Sequence, residues 1–333
     1  MNPESKNLLD TIGGTPLIKL TNISKGLKAH IWVKLEFMNP GGSLKDRIAK
    51  YMVGKAEKDG KIKPGDTIIE NSSGNTAMGL AIVARQKGYK LKIVLRNTTS
   101  KEKTKMLERL GVDVILVDAT IPPEDPCSYN NYAATLASQN KDYYYIDQHN
   151  NLDNNEAHYN TTGPEIWEQT GGKIDYLVDG VGTGGTLCGS GTYLKEKNPD
   201  IKLIGVDPVG SVFYTYFKEK KLIKPAHYKI EGIGDEFLIK TARLEVLDDM
   251  YQVDDKTAIA WTKKLALEEG ILSGGSSGAN IWAAVKLAKE IDREANIVTF
   301  ICDTGYKYFS TIYNDNWLKE NNLIESSVDD LAI

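Results

Sequence analysis

Short apolar runs rich in β-branched residues alternate with amphipathic stretches along almost the whole chain of 333 residues. HIWVKLE reads as a strand, and Asp46 to Lys58 then reads as a helix with Ile48, Met52 and Ala56 on one face. DTIIE precedes a helical stretch from Asn75 to Gln86, LKIVL precedes one from Lys101 to Leu110, and VDVILV follows it. Further on, DYLVDGV leads into Leu187 to Lys197 and IKLIGVD follows. Helical patterns then run from Lys256 to Glu269 and from Ala279 to Ile291, and NIVTFIC closes the series. Strands alternating with helices of this length build parallel sheets covered on both faces. The expected fold is therefore α/β, in two lobes, each a mostly parallel twisted sheet with helices on both faces. The polar, Asn-rich stretch YYYIDQHNNLDNNEAHY reads as a loop between the lobes.

Composition narrows the class. Hydrophobic content of 41% and charged content of 26% belong to an ordinary globular chain. A net charge of −4, with both signs interspersed, leaves no footprint for nucleic acid or for a membrane surface. The opening MNPESKNLLD lacks the basic-then-apolar layout of a secretory signal, and no apolar run is long enough to span a bilayer. Cys127, Cys188 and Cys302 are scattered, and the four histidines form no metal-binding pattern. No metal is expected, and the cytoplasm is the expected compartment.

Four glycine-rich loops carry the chemistry. In NPGGSLKDR, Ser43 can cap a helix and Asp46, three residues on, completes a capping-box pattern. Lys45 then lies in the first turn, where the positive end of the dipole lowers the amine's pKa. A less protonated amine is what Schiff-base chemistry with an aldehyde requires. Taken alone, the stretch also reads as a solvated lysine in a turn. In ENSSGNTAMGLA, residues Ser72, Ser73, Gly74, Asn75 and Thr76 put hydroxyls, an amide and free N–H groups at a helix start. That exceeds the needs of simple capping and suits a carboxylate or phosphate.

In DGVGTGGTLCG, Gly182, Gly184 and Gly185 let the backbone approach an anion, and Thr183 and Thr186 add hydroxyls. The loop lacks the lysine of a P-loop, and leucine stands at 187 where a dinucleotide fingerprint needs its third glycine. Asp207, ending IKLIGVD, could still mimic a ribose-binding acid. LSGGSSGAN adds Ser276 and Ser277 at another helix start. Four such loops at strand–helix junctions belong to one site at the carboxyl ends of parallel strands.

The order NPGGSLKDR, SSGNT, GTGGT, GGSSGA resembles the cysteine synthase and cystathionine β-synthase family of fold-type II pyridoxal-phosphate enzymes. The likeness runs from IGGTPLIKL to NDNWL. It implies a tryptophan-synthase-β-like fold, with residues 1–41 and 153–333 as the larger cofactor-binding lobe. Residues 42–152 would form a smaller, mobile lobe that carries the substrate-carboxylate loop. The resemblance implies that Lys45 forms the internal aldimine with pyridoxal 5'-phosphate and that Asn75 bonds the cofactor's phenolic oxygen. Gly182, Thr183, Gly184, Gly185 and Thr186 would bind its phosphate, and Ser276 would face the pyridine nitrogen. Ser72, Ser73, Asn75 and Thr76, with Gln148, would take the substrate α-carboxylate.

A serine at the pyridine nitrogen makes a weaker electron sink than an acid would, which favours loss of a β-substituent over racemisation or transamination. The implied reaction is β-elimination and β-replacement through an aminoacrylate intermediate, with Lys45 moving the Cα proton. The implied substrate is a small amino acid (cysteine, serine or O-acetylserine), joined by water, sulfide or a thiol, in a homodimer. HYNTTGPEIWEQTGG looks like the cysteine synthases, whereas EGIGDEF, GVDPVGS and NDNWL look like cystathionine β-synthase. No haem-binding extension or tandem regulatory domain is expected.

Asp235 departs from both patterns, which carry tyrosine or a small residue there, and SGNTA replaces the commoner SGNTG. An acid facing Cβ could deprotonate water or a thiol, though it also reads as a surface carboxylate, and Glu236 competes for the role. Cysteine plus water giving serine and hydrogen sulfide is the favoured reaction, because a small thiol needs less help from a base. Cysteine, cystathionine or lanthionine synthesis is the alternative. Two other classes are a non-catalytic amino-acid sensor, which the intact Lys45 opposes, and a nicotinamide oxidoreductase resting on Gly182, Gly184 and Asp207.

Overall fold

A computed structural model describes residues 7–72 and 74–324. Ser73, expected in the carboxylate loop, lies outside the described residues. The strands are β1 (Leu17–Lys19), β2 (His30–Leu35), β3 (Thr67–Asn71), β4 (Lys90–Arg96), β5 (Asp113–Val117), β6 (Tyr143–Tyr145), β7 (Tyr176–Gly180), β8 (Lys202–Pro208), β9 (Asp249–Val253) and β10 (Asn296–Ile301). The first helices are α1 (Lys45–Lys58), α2 (Asn75–Lys87), α3 (Lys101–Arg109), α4 (Tyr132–Gln139), α5 (Asp153–Asn160) and α6 (Thr162–Gln169). They are followed by α7 (Gly185–Lys197), α8 (Phe213–Glu219), α9 (Asp255–Glu269), α10 (Gly275–Glu290) and α11 (Asp315–Glu320).

Two sheets result. One has the order β1-β2-β10-β7-β8-β9 and the other β5-β4-β3-β6. Every pairing is parallel except that of β1 with β2. Burial on both faces explains the continuous apolar runs of the central strands. In β7, Leu177 and Val178 alternate and enter different cores. Val178 joins Ala279 and Ala283 of α10, and Leu177 joins Leu187 and Leu194 of α7. In the smaller sheet Ile68 and Ile93 pack with Ile48, Met52 and Ala56, the expected stripe of α1.

Two expectations fail locally. The stretch from Tyr143 to Tyr159 is not a loop: it contains β6 and most of α5. Helix α5 buries polar residues, Asn154, Asn155 and His158, against α7, so it leaves no apolar stripe to read. The capping box at Ser43 also fails to form. Ser43 Oγ accepts from the Lys45 N–H at 3.2 Å, while the Asp46 carboxylate turns back to the N–H of Gly41.

Candidate active site

The carboxyl ends of β3, β4 and β7 open onto a cavity of about 700 Å³ between the two sheets. Lys45, Ser72, Asn75, Thr76, Gln148, Gly182, Thr183, Asp235 and Glu236 all line it. Gly184, Gly185, Thr186 and Ser276 are not among the residues lining it. Short strand-to-helix connections deliver most of these groups, so the rigid sheet edges position the site.

Lys45 opens α1, and burial of its amine lowers the pKa, while nearby Cys302, Asp179 and Asp303 pull it back up. Burial is the leading cause of the shift. The helix itself is anchored two residues later by Arg47. That guanidinium grips Glu36 through Nε at 2.7 Å and Nη2 at 2.8 Å, and Glu165 through Nη1 and Nη2 at 2.7 Å each.

Asn75 is held from both sides. Its Nδ2 donates to Asp303 Oδ2 at 2.8 Å, and its Oδ1 accepts from Lys307 Nζ at 2.7 Å. Lys307 also donates to the Gly41 carbonyl at 3.0 Å and so ties this amide to the loop before Lys45. Sequence reasoning missed Lys307 and Asp303. The signal was their place just beyond β10, another strand ending at the cavity. Thr76 and Gln148 meet as expected, with Thr76 Oγ1 donating to Gln148 Oε1 at 2.6 Å. Gln148 Nε2 reaches buried Glu70, whose carboxyl burial pushes up to about 8.

The Gly182–Thr186 loop enters α7. A Cβ on Gly182 would stand 2.3 Å from the Gly232 carbonyl oxygen, and one on Gly185 would stand 1.9 Å from Asn154 Oδ1. Asn154 Nδ2 donates to Thr183 Oγ1 at 3.1 Å and to the Gln148 carbonyl at 2.8 Å, linking this loop to the Gln148 turn. Thr186 Oγ1 lies 3.3 Å from His158 Nε2. Ser276 is buried in the first turn of α10, and the neighbouring Ser277 Oγ accepts from the Cys302 N–H at 2.9 Å.

Asp235 is half-buried in the cavity wall, whereas Glu236 is exposed. Burial raises the Asp235 pKa to about 6, against the N–H groups of Glu236 and Phe237 and the Arg96 charge, which lower it. Its own backbone N–H is held by Ser211 Oγ at 3.1 Å. Asp207 is absent from this cavity wall: it is fully buried, and its Oδ2 accepts from the Tyr214 N–H at 2.8 Å. The residue that suggested a ribose contact thus braces the start of α8.

A family model described as pyridoxal-phosphate dependent enzyme matches residues 8–303. This chain belongs to that family. Its relatives include a cystathionine beta-synthase of Apis mellifera, 41% identical over 321 residues that cover 96% of this chain. The chain spans 63% of the length of that relative. A cysteine synthase of Staphylococcus aureus is 40% identical over 92% of this chain and 96% of its own length. Among solved structures, a hydrogen sulfide-producing enzyme from Fusobacterium nucleatum superposes with a TM-score of 0.84 at 36% identity, covering 92% of this chain and 99% of that one. An O-acetylserine dependent cystathionine beta-synthase from Helicobacter pylori gives 0.85 at 36% identity, over 93% and 99%. The two-lobed α/β architecture and the pyridoxal-phosphate cofactor expected from the motif order are those of this family.

Proposed function

We propose that this pyridoxal-phosphate-dependent enzyme acts on cysteine, expels hydrogen sulfide from Cβ, and adds water there to give serine. The observation that carries the reading is Asp235, a carboxyl in the same cavity wall as Lys45 with its pKa raised to about 6. A base with a pKa near the working pH, inside the reaction chamber, can take a proton from attacking water.

The residues present fit the cofactor. Lys45 offers a desolvated amine suited to its aldehyde. The absence of room for a Cβ at Gly182 suits close backbone approach, and the N-terminus of α7 offers unpaired N–H groups to a phosphate. In this reading Gly182, Thr183, Gly184, Gly185 and Thr186 hold that phosphate, Asn75 meets the phenolic oxygen, and Ser276 meets the pyridine nitrogen. Pyridoxal phosphate, when bound, supplies the electron sink that weakens the Cα–H and Cβ–S bonds.

Ser72, Thr76 and Gln148 receive the substrate carboxylate and orient Cα toward Lys45, which takes the proton. Asp235 takes the proton of water as its oxygen bonds to Cβ. One cysteine and one water thus become one serine and one hydrogen sulfide. The name of the Fusobacterium nucleatum neighbour supports sulfide release, and the cysteine synthase and cystathionine β-synthase relatives support exchange at Cβ. A cytoplasmic homodimer is the form this reading takes from the family resemblance.

The test supplies cysteine to the holoenzyme in water enriched in heavy oxygen. Serine carrying the label, formed in equal amount with sulfide, is the expected result. Sulfide accompanied by unlabelled serine, or by no serine, overturns the hydrolytic step.

A further inference from the structure

We propose that Lys307 is a positioning residue for the cofactor. Acting through the Asn75 amide, with Asp303 as the opposite pole, it turns an N–H of that amide toward the cofactor's phenolic oxygen and keeps the oxygen ionised. The proposal rests on the placing of Asn75 at that oxygen in the reading above, and adds to it the charged pair that aims the amide.

An asparagine amide has no sense of its own. Half a turn about its last bond exchanges oxygen and nitrogen at almost no steric cost, so the neighbours decide which end faces a ligand. At Asn75 the two neighbours are of opposite charge. Nδ2 donates to Asp303 Oδ2 at 2.8 Å, and Oδ1 accepts from Lys307 Nζ at 2.7 Å. Turned over, the amide would set its oxygen against a carboxylate and its N–H groups against an ammonium. Both contacts would become repulsive, so a single sense is held. One Nδ2 hydrogen is then given to Asp303, and the other remains for a ligand.

Both poles are themselves anchored. Asp303 is 1% exposed, and the Tyr308 hydroxyl donates to the same Oδ2 at 2.7 Å. Gly274, just before α10, makes room for it: a Cβ there would stand 2.4 Å from Asp303 Oδ1. Lys307 is half-buried in the cavity wall, and its amine also donates to the Gly41 carbonyl at 3.0 Å. Asp303 and Asp46 favour its charged form, against burial and the charge of Lys103. The segment after β10 that carries both poles is stitched to the loop before Lys45. There the Leu44 N–H donates to the Cys302 carbonyl and the Thr304 N–H to the Gly42 carbonyl, each at 3.0 Å.

Topology gives the arrangement its use. Asn75 opens α2 after β3 of the smaller sheet, whereas Asp303 and Lys307 follow β10 of the larger one. Charges of one lobe thus aim an amide of the other. An ammonium on Oδ1 draws electron density from the amide and makes its N–H a stronger donor. A stronger donor favours the ionised form of the oxygen that accepts from it.

The test reads the absorption of substrate-free holoenzyme at one fixed pH. The quantity is the ratio of the near-ultraviolet band of the neutral phenol to the visible band of its ionised form. Cofactor released on denaturation puts every variant on equal loading. Lys307→Met is expected to raise the ratio by about threefold or more, as for loss of one charge-assisted hydrogen bond. Lys307→Gln, which keeps a neutral donor, should lie between, and Lys307→Arg should restore most of the wild-type value. Adding Lys307→Met to Asn75→Ala should change nothing further, because the effect runs through that amide. An unchanged ratio in Lys307→Met, or an equal change with and without Asn75, overturns the proposal. A wild-type ratio in Asn75→Ala alone would instead overturn the placing of Asn75 at the phenolic oxygen, so the two failures are distinct.

Discussion

Replacing Glu36 by Gln keeps the shape of a side chain that is 1% exposed and removes its charge. Both of its oxygens hold Arg47, at 2.7 and 2.8 Å, and they also accept from Thr15 Oγ1 at 2.7 Å and Asn39 Nδ2 at 2.9 Å. The Gln amide nitrogen would face donors where an acceptor stood. Arg47, 1% exposed, would keep only Glu165 as a charged partner. Breaking a buried pair costs about 3–5 kcal/mol, and the surviving Glu165 contact puts this variant near the lower end, at about 3 kcal/mol. In a chain of this size that corresponds to a fall in Tm of about 5 °C. Thermal unfolding followed by circular dichroism at neutral pH reads it. Arg47 lies two residues after Lys45, so the variant should also bind pyridoxal phosphate more weakly. A Tm within about 1 °C of wild type, with unchanged cofactor affinity, refutes the view that this pair anchors the catalytic helix.

Lys45→Ala should abolish the covalent attachment of the cofactor, and borohydride reduction followed by peptide mapping should place the label on Lys45 in the parent protein. Label on another lysine would contradict this. Gly182→Ala should weaken pyridoxal phosphate binding by about tenfold or more, because a Cβ there meets the Gly232 carbonyl at 2.3 Å; equilibrium dialysis measures it. The serine-to-sulfide ratio should fall as pH drops through about 6, since Asp235 must be ionised to act as a base, and a flat ratio would count against that role. Glu165, held well below its ordinary value at about 2, chiefly by Arg47 against the opposing effect of burial, contributes stability that is full above pH 4.5. Acid titration of unfolding should show that contribution disappearing between pH 4.5 and 2.

The parts of this molecule legible in the sequence are those where one physical requirement dominated. β3 and β7 are buried on both faces and read as apolar runs, and α1 carries a plain apolar stripe. The glycine loops were legible because close backbone approach excludes every side chain, as at Gly182 and Gly185. Helix α5 escaped notice because its buried face is made of Asn154, Asn155 and His158, fitted against glycines of α7. Asp46 misled because a carboxylate can satisfy N–H groups of the preceding loop as well as those of its own helix. Arg96 and Lys307 were not legible at all. Their meaning depends on which strands end side by side, a long-range fact that local spacing does not encode.

In the proposed reaction Asp235 activates water after sulfide has left. Asp235→Asn keeps size and position while removing the base, and Lys45, Gln148 and Ser276 remain intact. Rapid mixing of the variant holoenzyme with cysteine, with sulfide and serine quantified over the first turnovers, measures the two halves of the reaction separately. Sulfide release at close to the wild-type rate, with serine formation slowed by about a hundredfold or more, is the expected result. Serine formed by Asp235→Asn at the wild-type rate would contradict it.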